Sequence, residues 1–155
     1  MTDDDRRPRR LPPRWFIRTA WVVHRGIYRL SRGRLGLRPP RPDAWGMLVL
    51  RTVGRRTGQE RAAIVAYFED GPNLVTLAMN GWAAPEPAWW LNLQAQPDAT
   101  VELEGRTAAV RGRAAVGDER ARLWARWDEL GTDVDGFAVR RPTETVVVVL
   151  EPRRA

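Results

Sequence analysis

These 155 residues contain no cysteine and no lysine, a single histidine (His24) and two tyrosines (Tyr28 and Tyr67). Without cysteine there are no disulfides and no thiolate metal sites, which suits a reducing cytoplasm. With one histidine, a zinc or iron centre would have to rely on carboxylates, and none cluster at ligand spacing. No Ser-His-Asp or Cys-His set can be assembled around His24, for which a structural role is expected. Gly-x-Gly-x-x-Gly and the P-loop pattern are both absent, which leaves Rossmann and Walker-type sites unsupported. No apolar run is long enough to span a bilayer. The acidic opening Met1-Thr2-Asp3-Asp4-Asp5 is not a secretory signal, so a cytoplasmic location is expected. Redox or transfer chemistry in such a chain has to come from a bound cofactor, and no side chain stands out as catalytic.

The positive charge is unevenly placed. Through Ala44 there are twelve arginines against four aspartates; from Trp45 onward, fourteen arginines face fifteen acids. Residues 1–44 therefore read as a basic arm, and residues 45–152 as a nearly neutral folded domain. A nucleic-acid reader carries its positive stripe on the folded surface, so no nucleic-acid partner is expected. Within the arm, residues 14–32 read as an amphipathic helix. At about 100° per residue, Arg14, Arg18, Arg25, Arg29 and Arg32 fall within a stripe of roughly 60°, opposite Phe16, Ala20, Val23, Ile27 and Leu30. That pattern suits an anionic membrane surface at the inner face of the cell membrane. It equally suits a helix packing its apolar side on the domain or on a second subunit of a homodimer.

After a Pro/Gly-rich linker at 33–43, the pattern turns to strands: Met47–Val53, Ala62–Phe68, Leu74–Met79, Thr100–Glu104, Arg106–Val116 and Thr145–Leu150. Short helices are expected at Pro87–Gln94, with Pro87 in the first turn, and at Asp118–Leu130, with Asp118 as its cap. Six strands with two inserted helices predict an α+β fold built on an antiparallel six-stranded barrel. Glu102 and Glu104 share one strand face, and their expected role is solubility at the hairpin edge.

Two stretches stand out. Gly54-Arg55-Arg56-Thr57-Gly58-Gln59-Glu60-Arg61 joins two apolar strands through a glycine-bearing turn with three arginines, a pattern able to hold an anion through guanidinium forks and backbone N–H groups. Bare physics leaves a solvated turn equally open. Pro87-Ala88-Trp89-Trp90-Leu91-Asn92 concentrates tryptophan, which serves a core or interface as readily as a cofactor slot.

Together these residues resemble the deazaflavin-dependent nitroreductase family, split-barrel proteins that use coenzyme F-420. The family run Thr-x-Gly-Arg-x-Ser/Thr-Gly-x-x-Arg is matched from Thr52 to Arg61. The run Pro-x-Trp-x-x-Asn-Leu-x-x-x-Pro is matched by Pro87, Trp89, Asn92, Leu93 and Pro97, and the closing run by Val148-Val149-Leu150-Glu151-Pro152. The resemblance extends over residues 45–152.

It implies an oxidoreductase that passes a hydride from reduced F-420 to a hydrophobic acceptor such as a quinone or nitro compound. FMN is the alternative cofactor, and a non-catalytic cofactor-binding or peripheral membrane protein the alternative role. By the same resemblance, Gly54, Arg55 and Arg56, in the turn that runs to Glu60, contact the phosphate and acidic glutamyl tail. Arg61 and the strand Ala62, Ala63, Ile64 and Val65 line phosphate and ring. Thr76, Leu77, Ala78 and Met79 run under the ring, and Pro87, Ala88, Trp89, Trp90 and Leu91 close the other side. Two departures fall on the acceptor side: Met79 stands where family members often carry serine, and between Gly131 and Pro142 only Phe137 is aromatic.

Overall fold

The structure is a computed structural model that describes residues 37–80 and 85–154. The helix expected at 14–32 lies outside the described residues. Six strands, β1 (Gly46–Val53), β2 (Glu60–Asp70), β3 (Asn73–Leu77), β4 (Asp98–Leu103), β5 (Arg106–Ala114) and β6 (Val147–Pro152), close a barrel in the order β1-β2-β3-β6-β5-β4. Every pairing is antiparallel. Helices α1 (Ala88–Ala95), α2 (Gly117–Glu129) and α3 (Val134–Ala138) lie in the connections.

Period-2 alternation sorts the apolar residues. Leu48 and Leu50 of β1, Val65 and Tyr67 of β2, Val101 and Leu103 of β4, and Val148 and Leu150 of β6 join one buried cluster, into which α1 inserts Trp89, Trp90 and Leu93. Alternate residues such as Val49, Phe68 and Val149 are buried on the other face. There Phe68 meets Trp127 of α2 edge-on, with ring centroids 5.1 Å apart. A bidentate pair between Arg122 and Asp70 also ties α2 to the β2–β3 turn and holds the Asp70 carboxyl below its ordinary value.

The pairing is unequal along β2. Glu60–Tyr67 pairs with β1, whereas β3 joins β2 only from Phe68 to Asp70. The barrel is therefore split beside the first half of β2, and the cavity described below opens there. Arg38 also pairs with Met47, so part of the stretch read as linker lies against β1.

Several element bounds shift by a few residues, β5 for example ending at Ala114 instead of Val116, and four points have a visible cause or consequence. β3 stops at Leu77, because the Met79 N–H folds back to the Leu77 carbonyl at 3.0 Å. Pro87 precedes α1 as its N-cap with extended backbone. The cap of α2 is Val116, not Asp118; Asp118 lies inside the first turn, where its charge still complements the helix dipole. The last strand begins at Val147, since the Thr145 carbonyl accepts from Arg120 Nη2 at 3.1 Å and its hydroxyl from Arg141 at 2.7 Å. The short α3 was not foreseen; Asp133 caps it by accepting from the Gly136 N–H.

Candidate functional site

The arginine turn is built from its own backbone. Gly54 N–H donates to the Gln59 carbonyl at 2.8 Å, Gly58 N–H to the Gly54 carbonyl at 2.7 Å, and Gln59 N–H to the Thr57 hydroxyl at 3.3 Å. Gly58 has φ of +70°, which a side chain disfavours, and a Cβ at Gly54 would lie 2.9 Å from the Gln59 carbonyl oxygen. The result is a closed turn that presents Arg55 and Arg56 beside Arg61, at the start of β2.

One side chain from α1 fastens this turn. Asn92 is buried, and its Oδ1 accepts from the Arg55 backbone N–H at 3.1 Å and from Arg55 Nη1 at 3.3 Å. Its Nδ2 donates to the Thr52 hydroxyl at 3.1 Å. Three residues earlier on the same helix face stands Trp89. Between turn, β2 and helix lies a cavity of about 430 Å³, lined by Gly54, Arg55, Arg56, Thr57, Arg61, Ala62, Ala63, Asn80, Ala88, Trp89 and Asn92.

Of the residues that the resemblance nominates, Gly54, Arg55, Arg56, Arg61, Ala62, Ala63, Ala88 and Trp89 meet at this cavity. The others stand outside its lining. Glu60 is exposed and held by Arg51 Nη1 at 2.8 Å. Ile64 and Val65 lie further along β2 and are buried, Val65 in the barrel interior. Thr76, Leu77 and Ala78 are buried at the end of β3, and Met79 is half-buried. Trp90 belongs to the interior cluster, Pro87 is buried at the helix start, and Leu91 is half-buried. Thr57, Asn80 and Asn92 were not nominated. For Asn92 the signal was available: an Asn three positions after a Trp on a short helix shares its face.

The cations of this site have no carboxylate partner among the described residues, unlike many arginines elsewhere on the barrel. Arg51, Arg113, Arg120, Arg122 and Arg141 each pair with a carboxylate. Arg55, Arg56 and Arg61 form no salt bridge among the described residues. Glu60, the carboxylate inside the turn, is drawn off by Arg51, which also binds Glu102 and is held above arginine's ordinary value chiefly by that hydrogen bond. Three cations without ion partners among the described residues suit a polyanion. Trp89, Ala62, Ala63 and Ala88 in the same lining suit a flat apolar ring. The donor set therefore fits a cofactor with an acidic tail and a planar head. None of the described lining residues is a carboxylate, histidine, tyrosine or thiol, so these residues bind and orient but offer no proton-transfer group.

A sequence profile described as F420H(2)-dependent quinone reductase matches residues 21–152. An F420H(2)-dependent quinone reductase of Mycobacterium tuberculosis is 30% identical over 147 residues, 91% of this chain and 97% of that protein. Among solved structures, an F420-H2 dependent reductase aligns with a TM-score of 0.62 at 20% identity, covering 75% of this chain and 100% of its own. A chain described as a domain-swapped dimer aligns with a TM-score of 0.63 at 21% identity, covering 86% and 99%. At these identities the two structures speak for the split-barrel fold.

Proposed function

The chain belongs to the F420H(2)-dependent quinone reductase family, and on that premise we propose that it transfers a hydride from reduced F-420 to a quinone-class acceptor in the cavity beside β2. The observation that carries the placement is that three arginines without salt bridges among the described residues line one cavity with Trp89. When bound, the deazaflavin supplies a hydride-donating carbon where a flavin has its reactive nitrogen. Arg55, Arg56 and Arg61 hold the phosphate and glutamyl tail at the wet end through charge-assisted bonds. Ala62, Ala63, Ala88 and Trp89 exclude water along the ring and hold donor and acceptor at contact distance. None of the described lining residues is an acid, and on this reading the proton that completes quinone reduction is drawn from solvent.

Tryptophan fluorescence tests the cofactor assignment. Titration with F-420 is expected to give saturable quenching at micromolar concentrations or below, with no response to FMN over the same range. Response to FMN alone would move the chemistry to flavin; response to neither would remove the site.

We also propose that the arm sets the protein at the inner membrane face, where hydrophobic quinones reside. Among the described residues no helix is long and apolar enough to cross a membrane. The reading is supported by the arginine stripe opposite an apolar face at 14–32. The full chain is expected to co-sediment with anionic vesicles and a variant lacking residues 1–35 to stay in the supernatant. Co-sedimentation of both would assign the contact to the barrel.

A further inference from the structure

The connection from β3 to α1 carries Asn80 and leads into Ala88, both of which line the cavity, and one buried cation grips the chain two residues before each. The Arg141 side chain has no exposed surface. Its Nη1 donates to the Ala78 carbonyl at 3.0 Å and to the Thr145 hydroxyl at 2.7 Å, while Nη2 donates to Glu86 Oε1 at 3.3 Å. The same Glu86 oxygen accepts from the Thr143 hydroxyl at 3.3 Å. Arg141 is held in turn by its own N–H on the Ala138 carbonyl and by the start of β6 next to Thr145.

A buried ion pair is a poor source of net stability, since desolvation offsets most of its attraction. Here the deficit is visible, because Arg141 Nε and Glu86 Oε2 are buried without partners. What the guanidinium does supply is registry. It fixes the exit of β3 and the approach to α1 against a single planar group anchored in the segment before β6. Asn80 follows Ala78 by two residues, and Ala88 and Trp89 follow Glu86 by two and three. The spacing between Asn80 on one side and Ala88–Trp89 on the other is therefore set by a side chain that does not itself line the cavity.

We infer that Arg141 is a positioning residue for the cofactor cavity, acting through Ala78 and Glu86 to hold the wall at the ring end. The functional consequence rests on the F-420 reading above; the positioning itself does not. The arginines of the turn grip the tail, so their loss raises Kd. Loosening the ring wall instead misplaces the reacting carbon, so kcat falls while Kd stays nearly constant.

Arg141→Met alone leaves the Glu86 carboxylate without its cation and can fail to fold, so the test uses Arg141→Met together with Glu86→Leu. In the ligand-free full-length protein, amide hydrogen exchange at Ala78, Met79, Trp90 and Leu91 is expected to rise roughly tenfold or more, with β1, β5 and the thermal midpoint unchanged. In turnover with reduced F-420, kcat is expected to fall about tenfold or more with Kd within about threefold of wild type. Unchanged local exchange, or a uniform rise in exchange with a lowered midpoint, would overturn the inference. Failure of the wild-type protein to bind F-420 would instead overturn the cofactor reading, and the exchange pattern would still decide the role of Arg141.

Discussion

Replacing Arg55 and Arg61 together by alanine is expected to weaken F-420 binding by about two orders of magnitude or more while the protein stays folded. Each guanidinium is assigned a charge-assisted hydrogen bond to the anionic tail, worth about 1.5–3 kcal/mol, so the pair accounts for roughly 3–6 kcal/mol of binding. The fold is spared because neither side chain forms a salt bridge with a described residue, both residues are exposed, and Asn92 Oδ1 keeps the Arg55 backbone N–H when the Nη1 bond is lost. Exposed cations without ion partners contribute little to stability. The loss should also be mirrored by salt, since added ions screen exposed charges over a distance of about 10 Å at 0.1 M. Isothermal titration of the double variant against wild type measures it. Equal affinity in both proteins would remove the tail from this wall.

The second large effect is expected at Asn92. Asn92→Leu keeps the branched shape, with somewhat more bulk, but strips the hydrogen bonds that join Thr52, Arg55 and α1. Leaving a buried donor or acceptor unpaired costs about 1–3 kcal/mol each, so a destabilisation of roughly 2–4 kcal/mol is expected alongside weakened F-420 binding. Asn92→Asp separates the two consequences. It retains an oxygen for the Arg55 N–H, but sets a carboxylate against Arg55 Nη1 where the cofactor's anion should bind. That variant should lose about tenfold in affinity while unfolding closer to wild type than the leucine variant does. Wild-type affinity in Asn92→Asp would mean that Arg55 does not reach the ligand.

Much of this was legible in the chain because the signals were local. Alternation such as Leu48/Leu50 and Val101/Leu103 announces a half-buried strand, and six such runs predict an antiparallel barrel. The turn at Gly54–Gln59 is closed by bonds within six residues, so its glycines and arginines could be read directly. The resemblance then brought the Trp89 region to the same place. What escaped was either short or distant. The five-residue α3 rests on one aspartate cap, too little periodicity to detect. The start of β6 and the residue just past β3 are held by Arg120 and Arg141, whose bonds connect side chains to backbone carbonyls far from any strand pattern. Arg141 itself reaches Ala78 and Glu86, 63 and 55 positions earlier. No spacing rule joins such residues. Along β2 the nomination extends to Ile64 and Val65, whereas the cavity lining includes the strand only as far as Ala63.

The departures on the acceptor side also take physical form. Met79 is half-buried outside the cavity lining, and Phe137 lies on α3 with the Arg140 guanidinium 5.7 Å from its ring centroid. Neither offers a proton.

The measurement that bears most directly on this account is anaerobic turnover. Reduced F-420 is mixed with a menaquinone-class acceptor, with and without the protein, and deazaflavin reoxidation is followed by absorbance. The account predicts oxidation that depends on the protein, requires the quinone and is lost in the Arg55→Ala, Arg61→Ala double variant. Oxidation no faster than the protein-free control, or equal rates with reduced FMN in place of reduced F-420, would contradict it.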